Sequence, residues 1–334
     1  MRHTEIDNRI IGALVCVLFL AAIFIQTSAV QQKARFVQAQ KEKAEAELYG
    51  PLGNVPIDAK AAFVYDLTRG KIIFVRHEDW RLPLASLTKI MTTVVAKEVL
   101  PADTVVTIPR AAISQEGDSG LKEGEKWPLT NLLQVMLVGS SNDAARAIAL
   151  SAEDVLAPNT IEEAIVSENT IAHFIQKMNE TAQSLHLTQT SFSNETGLDV
   201  SATDNGGYGS ARDIGTLLKY AYDKYPDLFG PTTYPQITTT SASGKSHTLK
   251  NTDSITGSIT SLLASKTGYT KIAGGNLAIL FDVRPGEPVI AVVLGSTREG
   301  RFEDMQELIA ATHTWRDRID TALATTSSTV PPAL

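Results

Sequence analysis

Residues 10–25 read IIGALVCVLFLAAIFI, sixteen positions without a charge, and the uncharged stretch runs on through Val30 to make 21. At about 1.5 Å of rise per residue such a helix spans about 30 Å, the hydrocarbon thickness of a bilayer. This run divides the chain into an N-terminal membrane segment and a body that must fold on its own. It reads either as a cleaved signal peptide or as an uncleaved anchor. A signal peptide has a shorter apolar core and an Ala-x-Ala-like cleavage site, and the best site here, Thr27-Ser28-Ala29, is poor. Residues 31–48, rich in Gln, Lys, Ala and Glu, favour a solvated helical stalk continuing from the span. The anchor is therefore the preferred reading. Cys16 lies within the run and reads as a lipid-facing or packed side chain. Arg2 and Arg9 are offset by Glu5 and Asp7, and Lys33 and Arg35 follow the span, so the charge bias gives little orientation.

Residues 50–56, GPLGNVP, break the stalk, and the stretch from Thr325, TTSSTVPPAL, reads as a loose tail. The expected layout is a cytoplasmic tip and transmembrane anchor over 1–30, a stalk and linker over 31–55, a folded body over 56–324 and a disordered tail over 325–334. Lys and Arg total 30 against 37 Asp and Glu. A net charge of −7 excludes the basic character of a general nucleic-acid binder. Hydrophobic residues at 43% exclude a disordered body. The single cysteine excludes an intramolecular disulfide and a Cys-based metal cluster. The six His show no close metal-ligand spacing and no phosphate-binding loop is apparent, so neither metal nor cofactor is expected.

Residues 62–65 and 72–75 read as strands of a hairpin around Thr68-Arg69-Gly70. Residues 87–100 have helical spacing and stop at Pro101. Further apolar helical stretches cover 129–137, 143–151 and 174–185. Ser210-Ala211-Arg212-Asp213 has a capping-box pattern opening a helix through Tyr222. Residues 277–281 and 289–294 are β-rich around a turn at Arg284-Pro285-Gly286, and 302–323 reads as a long helix. Strands, a helical middle, strands and a closing helix imply an α/β chain of α+β type. Its mostly antiparallel sheet is built from both ends, with a helical subdomain between. His247, in a Ser/Thr/Gly-rich segment, reads as an exposed loop residue.

Three short motifs occur in order: Ser86-Leu87-Thr88-Lys89, Ser140-Ser141-Asn142 and Lys266-Thr267-Gly268. They are the S-x-x-K, S-x-N and K-T-G set of penicillin-binding proteins and class A β-lactamases. Ser86 precedes the apolar helix pattern and belongs at its N-terminus. Residues three apart share a helix face, so Lys89 can reach the Ser86 hydroxyl. A charged lysine is a poor base, so Lys89 needs desolvation or a nearby cation, a role open to Lys266. Ser140 can relay a proton to a leaving amine, and Asn142 can hold a substrate amide. Lys266 and Thr267 can bind a carboxylate where a strand begins, and Gly268 lets a substrate backbone approach. The N–H groups of Ser86 and Tyr269 are natural oxyanion donors. Alone, Ser86 would be a simple N-cap and Ser140-Ser141-Asn142 an ordinary polar loop. The ordered set is what carries weight.

With these motifs, the sequence resembles the D-alanyl-D-alanine carboxypeptidases, the low-molecular-mass penicillin-binding proteins, from about Ala61 to Thr312. Residues 84–92 (LASLTKIMT) resemble the nucleophile segment, 120–125 (GLKEGE) the loop before the S-x-N helices, and 139–145 (GSSNDAA) the S-x-N segment, with Ser141 where Gly is common. Gly197-Leu198-Asp199, Ser210 to Asp213, Asn251-Thr252, Lys266 to Thr270 and 292–301 (VVLGSTREGR) also match. The resemblance implies a penicillin-binding-protein/β-lactamase-like catalytic domain. Its activity would be a serine hydrolysis of the terminal D-Ala-D-Ala of peptidoglycan stem peptides, with Ser86 as nucleophile and Lys89 as base. β-Lactam antibiotics would be covalent inhibitors. Arg301 matches a family arginine near the substrate carboxylate, with Arg298 as its rival. The body would lie outside the cytoplasmic membrane of a bacterium, held to the bilayer by the N-terminal helix. Many relatives carry a second β-rich domain and a C-terminal amphipathic helix. Here the resemblance leaves anchoring to the N-terminus. Residues 153–169 look like extra length without an assigned role.

Three rivals remain. A D,D-endopeptidase cutting cross-links would use the same residues. A β-lactamase needs a dedicated deacylating glutamate, and no convincing E-x-x-L-N segment is present. A non-catalytic cell-wall scaffold would be expected to show a broken motif set.

Overall fold

The computed structural model describes residues 30–33, 35–36, 52–113, 116, 117, 119–157 and 170–328. The chain forms two units, one of residues 1–50 with 321–334, the other Pro51–Asp320. In the first, residues 30–33 and 35–36 are helical. The uncharged run up to residue 29 lies outside the described residues. Among those described, no helix is long and apolar enough to cross a membrane.

The larger unit is built on a five-stranded antiparallel sheet. Its strands are β1 (Ala61–Asp66), β2 (Lys71–Arg76), β10 (Leu262–Thr270), β11 (Gly274–Arg284) and β12 (Glu287–Ser296), in the order β10-β11-β12-β1-β2. The β1–β2 hairpin and the β11–β12 turn fall where the sequence places them. β12 pairs with β1, Ala61 opposite Leu294 and Asp66 opposite Val289, so the two ends of the chain share one sheet. The strands read as unbroken apolar runs because both faces are covered. Side chains alternate across a strand. Ala278, Leu280, Ile290 and Val292 join the core shared with the helices. Ile279, Phe281, Ala291 and Val293 are equally buried on the other face, where Phe281 meets the His313 ring of the closing helix.

Between the strands lie the short strands β3 (Leu82–Pro83), β4 (Val105–Thr107), β5 (Lys126–Pro128), β6 (Ser191–Phe192), β7 (Gly207–Gly209), β8 (Gln236–Thr240) and β9 (Ser246–Lys250), and the helices α1 (Thr88–Val99), α2 (Leu129–Val138), α3 (Asn142–Leu156), α4 (Ala172–Ser184), α5 (Ala211–Lys224) and α6 (Pro226–Phe229). α1 is buried from Thr88 to Ala96, the central rod of the helical layer. It stops before Pro101, which cannot continue a helix. Ser210 caps α5, accepting from the Asp213 amide at 3.1 Å. The Asp213 carboxylate turns elsewhere, to the Gln189 amide and the Thr190 hydroxyl, both at 2.8 Å, and so ties α5 to the chain before β6. Gly215 lets α5 lie close on the sheet: a Cβ there would sit 3.2 Å from both Ile290 and Phe63. Glu153, in the segment to which sequence reading assigned no role, accepts from the His173 and Phe174 amides at 3.1 and 2.8 Å and so satisfies the first turn of α4. The closing helix α7 spans Gly300–Ser328, through positions 325–328 that composition marks as a loose tail.

Candidate active site

β3 leads through a 3-10 turn, Ala85–Leu87, into α1. Ser86 therefore sits just before the helix rather than capping it. The N-cap position is Leu87 and no side chain caps α1, so the Ser86 hydroxyl is not spent on helix amides. Ala85 has φ +48°, the left-handed region a side chain rarely adopts. Three neighbours fix this bend. A Cβ on Gly197 would lie 1.9 Å from the Ala85 carbonyl oxygen, and one on Gly268 would lie 3.1 Å from the Ser86 nitrogen. Asn276 Nδ2 on β11 donates to the carbonyls of Pro83 and Leu84, each at 3.0 Å.

Lys89 lies one turn on and is fully buried. Its Nζ donates to Ser86 Oγ at 3.0 Å, to Asn142 Oδ1 at 2.7 Å and to the Thr196 carbonyl at 2.8 Å. Burial pushes the Lys89 amine down to about 7, with the Glu195 carboxylate opposing. The amine next to Ser86 is thus in a range where it can accept a proton at neutral pH.

Gly139 closes α2 and Ser140 turns the chain at φ +55°. Ser141 then caps α3, accepting from the Ala144 amide at 3.0 Å. The middle residue of the S-x-N motif is thereby used by the helix, which leaves Ser140 and Asn142 to face the cleft. Asn142 is held at both ends, by Lys89 on its oxygen and by its own donation to the Glu116 carbonyl at 2.6 Å.

Lys266-Thr267-Gly268 sits in the second half of the nine-residue β10, not at a strand start. Lys266 is buried and donates to Ser140 Oγ and to the Thr267 carbonyl, both at 2.9 Å. Burial holds its amine well below the usual lysine range, with Lys89 and Arg301 adding repulsion and Asp253 opposing. Sequence reading offered Lys266 as the cation that discharges Lys89. Here burial is the main force on Lys89, and the repulsion between the two amines falls on Lys266. Thr267 Oγ1 shares a 2.6 Å hydrogen bond with Thr252. Two hydrogen-bonded groups thus line the site, Ser86–Lys89–Asn142 and Ser140–Lys266.

Arg301 is buried and donates to the Gly268 carbonyl at 2.7 Å. Its rival Arg298 instead stacks over the Tyr269 ring at 4.7 Å. Both flank the K-T-G strand. His247 is not an exposed loop residue. It sits on β9 with its ring tilted against the buried Trp127 at 4.9 Å and its side chain only 10% exposed. Among the described residues no group of three His, Cys, Asp or Glu side chains is placed to hold a metal ion.

Sequence reading missed Asn276, Thr196, Glu195 and Arg146. Asn276 did leave a signal. A lone amide at the start of the apolar run 277–281 must be paired if buried, and it is: besides its two donations it accepts from the Gly295 amide at 2.8 Å.

An antiparallel five-stranded sheet with a helical layer and this serine–lysine cleft define a penicillin-binding-protein fold. The penicillin-binding protein D2 of Listeria monocytogenes, solved in its ampicillin-bound form, aligns with a TM-score of 0.64 and 28% identity, covering 78% of this chain and 99% of that one. The model of the D-alanyl-D-alanine carboxypeptidase family matches residues 43–298, and the chain belongs to that family. The D-alanyl-D-alanine carboxypeptidase DacF of Bacillus subtilis (strain 168) is 30% identical over 247 residues, 72% of this chain and 58% of DacF. The D-alanyl-D-alanine endopeptidase of Pseudomonas aeruginosa is 30% identical over 243 residues, 70% of each chain. The match to DacF therefore spans less than two thirds of that relative's length.

Proposed function

We propose that this protein is a serine-type D-Ala-D-Ala carboxypeptidase acting on peptidoglycan stem peptides. The observation that carries the reading is the buried Lys89 amine 3.0 Å from the Ser86 hydroxyl, with the Lys266–Ser140 pair closing the cleft beside it. In this reading Ser86 Oγ attacks the carbonyl of the penultimate D-Ala while its proton passes to neutral Lys89. The amide N–H groups of Ser86 and Tyr269 receive the negative oxygen. The C–N bond breaks, and the proton returns to the departing D-Ala amine through the Ser140 hydroxyl, leaving an ester on Ser86 and Lys89 neutral again. Water then attacks the ester with Lys89 as base, releasing the shortened peptide. Lys266, Thr267, Gly268 and Arg301 receive the terminal carboxylate and the adjoining backbone, and Asn142 holds a substrate amide.

A β-lactam presents a strained amide to the same serine, so covalent penicillin binding belongs to this reading. Ampicillin bound to the similar penicillin-binding protein D2 supports it. The segment 1–30 anchors the chain in the membrane of a bacterium, 31–55 forms the stalk and 56–324 is the catalytic domain outside the cytoplasm. A second reading, cleavage of peptidoglycan cross-links by the same residues, is favoured by the similarity to the Pseudomonas aeruginosa endopeptidase.

The test is D-Ala release from a peptide ending in D-Ala-D-Ala, combined with intact-protein mass after penicillin, for the wild type and Ser86→Ala. Release together with an adduct that Ser86→Ala loses is the expected result. An adduct without release moves the assignment to cross-link cleavage. Neither adduct nor release would sink the catalytic reading.

A further inference from the structure

Beside the strap that receives Lys89 lies an ion pair that the reaction itself does not use, its carboxylate buried and its guanidinium half-buried. Arg146 on α3 follows Asn142 by four positions and therefore shares its helix face. Asn142 touches Lys89 directly, so Arg146 occupies the next turn along that face. Glu195 immediately precedes Thr196, whose carbonyl accepts from Lys89. The Glu195 carbonyl accepts from Thr92 Oγ1 on α1 at 2.7 Å, which fixes this strap along the helix that carries the lysine. The Glu195 side chain is 3% exposed, and its Oε1 lies 3.5 Å from Arg146 Nη1. A buried carboxylate needs a partner, and Arg146 Nη1 lies within ion-pair distance.

We propose that Glu195, held by Arg146, is a positioning residue that tunes the proton affinity of the Lys89 amine and so sets the pH range in which Ser86 is activated. The proposal rests on the reading of Lys89 as the general base. Glu195 favours the ammonium form of Lys89; the repulsion with Lys266 on β10 falls on Lys266, and Arg146 on α3 acts through its pairing with Glu195. Asp143, beside Asn142, accepts from Ser119 at 2.6 Å. Charge in a water-poor site acts with little screening, so a single carboxylate there has leverage over a neighbouring amine. Burial alone would drive Lys89 further toward the neutral form, and Glu195 opposes that drift. The Thr196 and Asn142 oxygens can receive the ammonium hydrogens while Lys89 holds the serine's proton. Arg146 limits how far Glu195 stabilises that form, so that the amine can release the proton again.

The experiment is the pH dependence of acylation by a fluorescent penicillin on the full chain, for the wild type, Glu195→Gln, Glu195→Asp and Arg146→Met, with melting temperature followed for each. The wild-type rate falls below about pH 7 as Lys89 becomes charged. Glu195→Gln moves that midpoint down by about half to one unit. Relative to its own plateau it then reacts about three- to tenfold faster than the wild type in the acidic range. Glu195→Asp, which keeps the charge, holds the wild-type midpoint. Arg146→Met moves it up, and this shift carries the test if Glu195→Gln does not fold. An acid limb that neither neutral substitution moves would overturn the proposal while leaving the base role of Lys89 intact. A wild-type profile without an acid limb would overturn both.

Discussion

Lys266 Nζ donates to Ser140 Oγ across 2.9 Å although 126 positions separate the two residues. One sits on the edge strand β10 of the sheet and the other in the turn between α2 and α3 of the helical layer. The cleft is the seam between those layers, and this contact closes it opposite Lys89. A hydroxyl held by a buried amine is placed to pass a proton to a leaving amine.

Ser140→Ala is therefore expected to slow penicillin acylation by about 10²–10⁴-fold, the usual worth of a positioned proton donor. The melting temperature should change little. Stopped-flow labelling measures the rate, and an acylation rate within a factor of two of wild type would remove Ser140 from the mechanism.

Gly197 is expected to be the least replaceable glycine near the site. It has φ +78°, and a Cβ there would overlap the Ala85 carbonyl oxygen at 1.9 Å and Thr88 Oγ1 at 2.7 Å. Gly197→Ala has to displace the bend that aims Ser86. Strain of this kind costs about 1–3 kcal/mol, and urea denaturation should show that loss together with a disproportionate fall in acylation. By contrast, Gly286→Ala has open space around its Cβ, although its φ of +75° carries strain. It should lose stability but not acylation.

Asn276→Ala leaves the Pro83 and Leu84 carbonyls and the Gly295 amide without the partners they have now. A buried polar group left unsatisfied costs about 1–3 kcal/mol, so the variant should be destabilised by at least that amount. The fall in acylation should exceed what the unfolded fraction explains, because β11 would no longer hold the segment before Ser86. Circular dichroism melts and labelling on the folded fraction separate the two effects.

Glu287 carries a pH-dependent share of stability. It accepts from Arg316 Nε and Nη2 at 2.6 and 2.9 Å, and from both Arg69 Nη atoms at 3.1 Å. Hydrogen bonds from Arg316 and then Arg69 lower its carboxyl from the usual 4.5 to about 2. A depressed carboxyl stabilises the fold fully above its unfolded value and loses that contribution as pH falls through the folded one. The window is thus from about pH 4.5 down to about 2. The group is partly solvated, so its worth is about 1 kcal/mol, the upper end of surface ion pairs. Glu287→Gln should lower the melting temperature at pH 7 and flatten its dependence in that window. Parallel melting curves for the two proteins across it would contradict the assignment.

Much of the architecture was legible in the sequence because its signals are local. The Thr68-Arg69-Gly70 turn, Pro101 after α1, the Ser210 cap and the alternation of strands and helices each act over a few residues. Ser86 and Lys89 were legible for the same reason: a spacing of three fixes their approach whatever the rest of the chain does. Strand register, by contrast, is set by partners far away, which is why Lys266 appeared at a strand start and lies instead within β10. His247 looked like a loop residue by composition, yet the pairing of β8 with β9 lays it against Trp127.

What the sequence determined by itself was the set of chemical groups and their order along the chain. Tertiary structure decided what each group experiences. Lys89 is near 7 rather than in the usual lysine range because α1 runs through the middle of the helical layer, where water cannot stabilise its charge. Glu195 faces Arg146, and Asn276 reaches across to Leu84, only because separate elements pack together. Desolvation and long-range pairing depend on the whole chain at once, so no local stretch of sequence contains them.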